Sequence, residues 1–216
     1  MHIPDGILPP AVAIGGYAIT GGITWYSLRK INRYGDPSEQ VPRASLLTAG
    51  FFVASLIHIP IPPFISIHLI LNGLVGVVLG YFAFPAILIG LFFQAVMFQH
   101  GGLSSLGVNA AMMGIPAILA YHLFQLHQFF PKSERWASVF AFLAGAGALG
   151  LSAIIFTVLV LTTIPAEMNA ELERNAIYLG LVGYSVQALI EGTFTTLLVS
   201  FFQRVKPELL SHSIDK

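Results

Sequence analysis

Charges and prolines break the chain's apolar positions into seven runs, at roughly 10–29, 44–59, 64–84, 85–99, 109–130, 136–164 and 175–203. A helix that crosses a bilayer needs about 20 mostly apolar residues, so each run is a candidate span, with 44–59 and 85–99 short. Nothing alternates with a strand's period of two, and all seven are predicted to be helices. Short apolar segments beside Gly- or Pro-rich loops often surround a site buried at membrane depth. No internal repeat or low-complexity tract divides the chain, and residues 1–216 read as a single transmembrane domain of all-α class.

Composition fits that reading. Hydrophobic residues make up 56% of the chain and charged residues 9%, with mean hydropathy +0.79. A soluble domain carries about 25% charged residues, so this chain cannot cover a water-facing surface. The balanced charge and a pI near 7.1 leave no basic patch for nucleic acid. Without cysteine there is no disulfide, no thiolate ligand and no thiol nucleophile. A metal site must therefore be built from nitrogen and oxygen.

Charge placement orients the spans, because cytoplasmic loops collect Lys and Arg. Arg29, Lys30, Arg33 and Arg43 follow the first run, Lys132 and Arg135 follow the fifth, and Arg204, Lys206 and Lys216 lie in the tail. Placing these nine inside leaves only Arg174 outside and puts the N-terminus on the extracytoplasmic face of a multi-pass membrane protein. His2, His58, His68 and His100 then fall at or near the outer ends of spans. His122 and His127 fall toward the inner end and His212 in the tail, where histidines hydrate or bond to backbone. Polar groups at membrane depth are expensive and mark pathways or ligand sites, so the four outer histidines draw attention.

The opening stretch MHIPDGILPP has no Lys or Arg and is not a secretory signal. The amine of Met1, the amide nitrogen of residue 2 and the imidazole of His2 can close two fused chelate rings on one ion. Nitrogen-rich planar fields favour Ni(II) or Cu(II), while imidazole also suits Zn, Fe and Co. A bulky residue at position 2 discourages removal of the initiator methionine, so the chelate survives processing. Asp5 and Gly6 suit a tight turn back toward the bundle. Taken alone, Met-His is weak evidence, and an ordinary frayed terminus with a chance histidine is the simpler reading. Glu191, inside the last run, reads as structural rather than as a ligand, either neutral or hydrogen-bonded to a neighbouring helix. The AGAGALG run at 144–150 reads as close helix packing or as a face for a partner helix.

Four stretches together carry more: MHIPDGILPP, PIPPFISIHLILNGLVGVVLG, LFFQAVMFQHGGLSSLGVNAAMMGIPA and EGTFTTLLVSFFQRVKPELL. In this order and spacing the chain resembles the CbiM/NikM family, membrane substrate-binding subunits of energy-coupling factor transporters for cobalt and nickel. The resemblance implies a six-helix core with an extra N-terminal helix, and an N-terminal segment tucked into the bundle from outside. It implies a metal held by the Met1 amine, the amide nitrogen and imidazole of His2, and the histidine after the Pro-rich loop, here His68. Asn109 matches the family's asparagine and would brace the loop over the site. Ser104 and Ser105 would satisfy backbone groups of that loop, and Gly101, Gly102 and Gly107 would allow close approach. His100 falls at a position that varies in the family and ranks below His68, with His58 lower still. The cargo would be Co(II) or Ni(II), and no residue distinguishes them.

No GxxxxGK[ST] phosphate loop is present, so the chain has no ATP site of its own. The resemblance supplies a transmembrane coupling subunit, cytoplasmic ATPase subunits and a small accessory membrane subunit as partners. Three other functions compete. A serine hydrolase would use Ser104 or Ser105 with His100, although GLSSLG is not a GxSxG elbow. A bis-histidine membrane cytochrome would grip haem between two outer imidazoles. A passive metal channel would move ions without the ATPase partners.

Overall fold

The computed structural model describes residues 1–33, 37–61, 65–131, 133–163 and 170–210, and at 37, 39, 58–61, 65–68 and 170–178 it describes the backbone alone. The fold is helical, with one short hairpin among the described residues. The helices are α1 (Pro10–Arg33), α2 (Pro37–Leu56), α3 (Asn72–Leu79), α4 (Ala83–Phe98), α5 (Leu106–Gln125), α6 (Glu134–Thr163) and α7 (Ala170–Val205). Strands β1 (His58–Ile61) and β2 (Ile65–His68) pair antiparallel, with His58 opposite His68 and Ile61 opposite Ile65.

The hairpin corrects the sequence reading of 64–84 as one helix and of the whole chain as strand-free. Helix α2 stops at Leu56, and α3 starts only at Asn72. Pro60, Pro62 and Pro63 explain the difference: proline has no N–H to give and forces the residue before it into extended backbone. The ISIH segment that follows does alternate, over too few residues to stand out. Helix α2 also begins earlier than expected and takes in Arg43.

By length and composition, four helical runs among the described residues can cross a membrane: Asn72–Phe98, Leu106–Phe129, Glu134–Thr163 and Leu179–Val205. The first is folded back on itself. Asn72 at the start of α3 reaches Met113 O in α5, and Tyr81 just beyond its end reaches His122, so α3 runs alongside α5 in the same direction. Gly80 then takes φ +57°, a region where glycine is at home. Helix α4 returns, with Gln94 donating to Ser55 of α2 and His100, just past its end, meeting His2. Every residue of α3 is buried, and it packs between α5 and α6.

The AGAGALG run turns its buried face inward. Ala144, Gly145 and Ala148 are buried, and a Cβ on Gly145 would stand 2.5 Å from Thr195 Oγ1 of α7. Close packing is therefore the role of that face. Basic side chains gather at the end of the bundle opposite His2. Lys30 lies over Tyr26 and Tyr81, Arg43 donates to the carbonyls of Val78 and Leu209, and Arg204 pairs with Glu134 at 3.3 Å. His122 sits 3.2 Å from the Tyr81 hydroxyl, and His127 Nδ1–H donates to Phe124 O. Lys132, Lys216 and His212, and the side chain of Arg174, lie outside the described residues.

Candidate metal site

The first three residues enter the bundle beside the N-terminal turn of α5. Met1 and Ile3 are buried, at 5% and 2% exposure. A buried backbone without a neighbouring strand must find other partners for its N–H and C=O, and Asn109 supplies both. Ile3 N–H donates to Asn109 Oδ1 at 3.0 Å, and Asn109 Nδ2 donates to Ile3 O at 3.0 Å. The Ser105 hydroxyl donates to the same carbonyl and lies 3.3 Å from Asn109 Nδ2. The Met1 side chain joins the buried apolar cluster that holds Phe51, Ile70, Leu106 and Ala110. Burial pushes the pKa of the Met1 amine down from 8.0 to about 5. At neutral pH the amine is therefore mostly uncharged.

The next turn is strapped to the loop between α4 and α5. The Asp5 carboxylate accepts Leu103 N–H at 3.1 Å and, through its other oxygen, Ser104 N–H at 2.7 Å and the Ser104 hydroxyl. Those hydrogen bonds, chiefly from Ser104, hold the carboxyl below its ordinary 3.8. The loop can come this close because Gly102 has no side chain: a Cβ there would lie 2.2 Å from Asp5 Oδ1 and 2.5 Å from Asp5 N. Gly101 takes φ +87°. On the far side of the loop, Tyr17 of α1 donates to Leu103 O, and Thr20 donates to Gly107 O at 2.6 Å. Gly107 is close-packed too, since a Cβ on it would meet Tyr17 N at 2.5 Å.

His2 sits between these two anchors, half-buried, with both ring nitrogens closed off from solvent. Its ring meets that of His100 edge-on, centroids 4.2 Å apart at 62°. Rings in direct contact leave no room for a haem plane, so this pair is not a bis-histidine haem grip. Nor does either serine hydroxyl look like a nucleophile: Ser104 donates to Asp5 and Ser105 to Ile3 O. Among the described residues no group of three His, Cys, Asp or Glu side chains converges on a point. The ligand set expected from the sequence relies instead on main-chain nitrogens at Met1 and His2. The side chains of His58 and His68 lie outside the described residues, while their backbones pair across the hairpin. Beyond β2 the chain runs to Ile70, in the same buried cluster as Met1.

Residues 2–209 match the family described as the cobalt uptake substrate-specific transmembrane region, CbiM. The chain belongs to this family. A relative in Haemophilus influenzae with a metal-transport name is 30% identical over 216 residues, covering 99% of this chain and 98% of its own length. A relative in Archaeoglobus fulgidus, named as a fused nickel transport protein NikMN, is 27% identical over 214 residues, 97% of this chain and 68% of that one. The crystal structure of a transition metal transporter superposes with a TM-score of 0.74 at 24% identity, covering 95% of this chain and 93% of its own, and shares the fold.

For this CbiM-family chain, the structure brings together Met1, His2, His100, Ser104, Ser105 and Asn109, all of which the sequence had singled out. Asn109 grips the N-terminal segment directly, a tighter role than bracing a loop. Sequence reasoning missed Asp5 as the strap to Leu103 and Ser104. An Asp-Gly pair reads locally as a turn, and its partners lie about 100 residues away. It also missed what Glu191 holds.

Proposed function

We propose that this CbiM-family protein is the metal-capture membrane subunit of an ATP-driven energy-coupling importer for divalent cobalt or nickel. The cargo binds at the outer end of the bundle. The Met1 amine, the His2 amide nitrogen after loss of its proton, and the His2 imidazole close two fused rings on the ion, and the His68 imidazole completes a planar nitrogen set. Asn109 and Ser105 hold Ile3, Asp5 holds the turn behind it, and His100 lies against the His2 ring. Preorganisation of this kind is what supporting residues contribute to metal sites.

The observation that carries the reading is the docked N-terminus, which buries Met1 and Ile3 in the bundle and is held there by Asn109. The chain acts as one transmembrane unit with seven passes and its N-terminus outside. Successive helices of the bundle run in alternating directions, and the basic side chains lie at the end away from His2, in support of that orientation. Coupling and ATPase subunits, with or without a small accessory membrane subunit, supply the energy for inward release. The fused architecture named for the Archaeoglobus fulgidus relative supports a multi-part transporter.

The test is calorimetric titration of purified protein, its N-terminus verified by intact mass, with Ni(II) and with Co(II). A variant with one alanine added before Met1 is titrated alongside; every side chain is kept while the terminal amine moves away from His2. Tight binding by the natural chain and its loss in the extended one is the expected result. Equal affinity in both would remove the amine from the ligand set and overturn the reading.

A further inference from the structure

Glu191 lies midway along α7 and is fully buried, yet the metal chemistry above makes no use of it. Its carboxylate addresses one short piece of backbone. Oε2 accepts Leu71 N–H at 2.8 Å, Oε1 accepts Ile70 N–H, and Gln187, one turn earlier on α7, adds a side-chain hydrogen bond. Bonds from backbone N–H to a carboxylate are among the stronger ones available to a protein.

The piece so gripped joins the hairpin to the core. His68 ends β2, Leu69 and Ile70 follow, and Leu71 stands at φ +56° before Asn72 opens α3. A leucine rarely adopts left-handed backbone, so the connection needs an outside hold, and Glu191 provides it. The next residue is fixed from other helices. Asn72 Nδ2 donates to Ser152 Oγ of α6 at 2.9 Å and to Met113 O of α5 at 3.3 Å, while its Oδ1 accepts Gly73 N–H at 2.9 Å. Strand β2 itself packs against α7.

We infer that Glu191 is a positioning residue for metal capture, clamping the main chain just after His68 and so tying that histidine to α7. The inference rests on His68 being a ligand, as proposed above. It acts through geometry at a distance of two to three residues along the chain and touches no metal.

Ni(II) binding and the visible Ni(II) absorption spectrum test it, measured on the natural chain, Glu191→Gln, Glu191→Leu and His68→Ala, and on each Glu191 change combined with His68→Ala. Gln keeps one acceptor oxygen for the clamp and Leu keeps none. Glu191→Leu is expected to weaken binding about 10- to 100-fold, the range typical for residues that orient a ligand. Glu191→Gln should weaken it less, and both should move the spectrum toward that of His68→Ala. In the His68→Ala background neither change should weaken binding further. Natural affinity and spectrum in Glu191→Leu would overturn the inference, as would a loss that adds in full to that of His68→Ala. If His68→Ala binds like the natural chain, the ligand set itself fails, and this inference with it, whatever Glu191 does. Should Glu191→Leu not give a monodisperse folded protein, Glu191→Gln and Gln187→Met carry the same comparison. Smaller, non-additive losses are then expected, and natural affinity in both would overturn the inference.

Discussion

At the scale of single residues, the proposed site draws on main-chain atoms that side chains hold in place. Asn109 offers a donor and an acceptor on one planar amide, and both meet Ile3, much as a neighbouring strand would. An aspartate or leucine of similar size could satisfy at most one side of that pair, which is why the residue type matters. The Met1 amine carries a pH signature. Its folded pKa of about 5 lies below the ordinary 8.0, so the docked state binds fewer protons than the undocked one. Stability from docking is thus complete above pH 8 and is lost progressively as pH falls toward 5. Unfolding temperatures of metal-free protein, measured from pH 8 to pH 5, should fall along that window. In N-terminally acetylated protein this part of the slope should vanish. An identical slope in both forms would mean the amine is not the titrating group.

At the scale of elements, two segments are anchored by distant parts of the chain. One is the N-terminal turn strapped to the α4–α5 loop, and the other is the hairpin whose exit is clamped by α7. The strap depends on a missing side chain. Gly102→Ala would drive a methyl group into the Asp5 carboxylate and backbone, against atoms that cannot both move aside without releasing the turn. The expected outcome is faster protease cleavage before α1 and weaker Ni(II) binding, with little change in helix content by circular dichroism. Unchanged protection and affinity would show that the turn docks without the strap. The α3–α4 reversal matters in the same way, because it lets a single apolar run line the core and then return to deliver His100 beside His2.

At the scale of the whole molecule, the prediction concerns sidedness. The natural chain has no cysteine, so single introduced cysteines report position without background. Leu103 is exposed in the α4–α5 loop and Gln128 is exposed at the opposite end of the bundle. A membrane-impermeant maleimide should label Leu103→Cys in intact cells and should reach Gln128→Cys only after the membrane is opened. The reverse pattern would invert the proposed orientation.

The sequence by itself determined the solvent, the helical class and most of the residues that the structure gathers around the N-terminus. Long apolar runs and the scarcity of charge leave lipid as the only suitable environment, and the Met-His start with HGGLSSLGVN marked the residues that meet. These signals are local, carried within a few positions of one another. Only the tertiary structure decided which distant backbone each polar side chain serves. Asp5 reads as half of a turn until Leu103 and Ser104 stand opposite it, and Glu191 reads as a structural carboxylate of unknown partner until Ile70 and Leu71 face it. The prolines at 60, 62 and 63 belong to the sequence, but pairing His58 with His68 required two strands to find each other. A buried N–H or C=O needs a partner yet does not specify from which part of the chain it comes. Packing makes that choice.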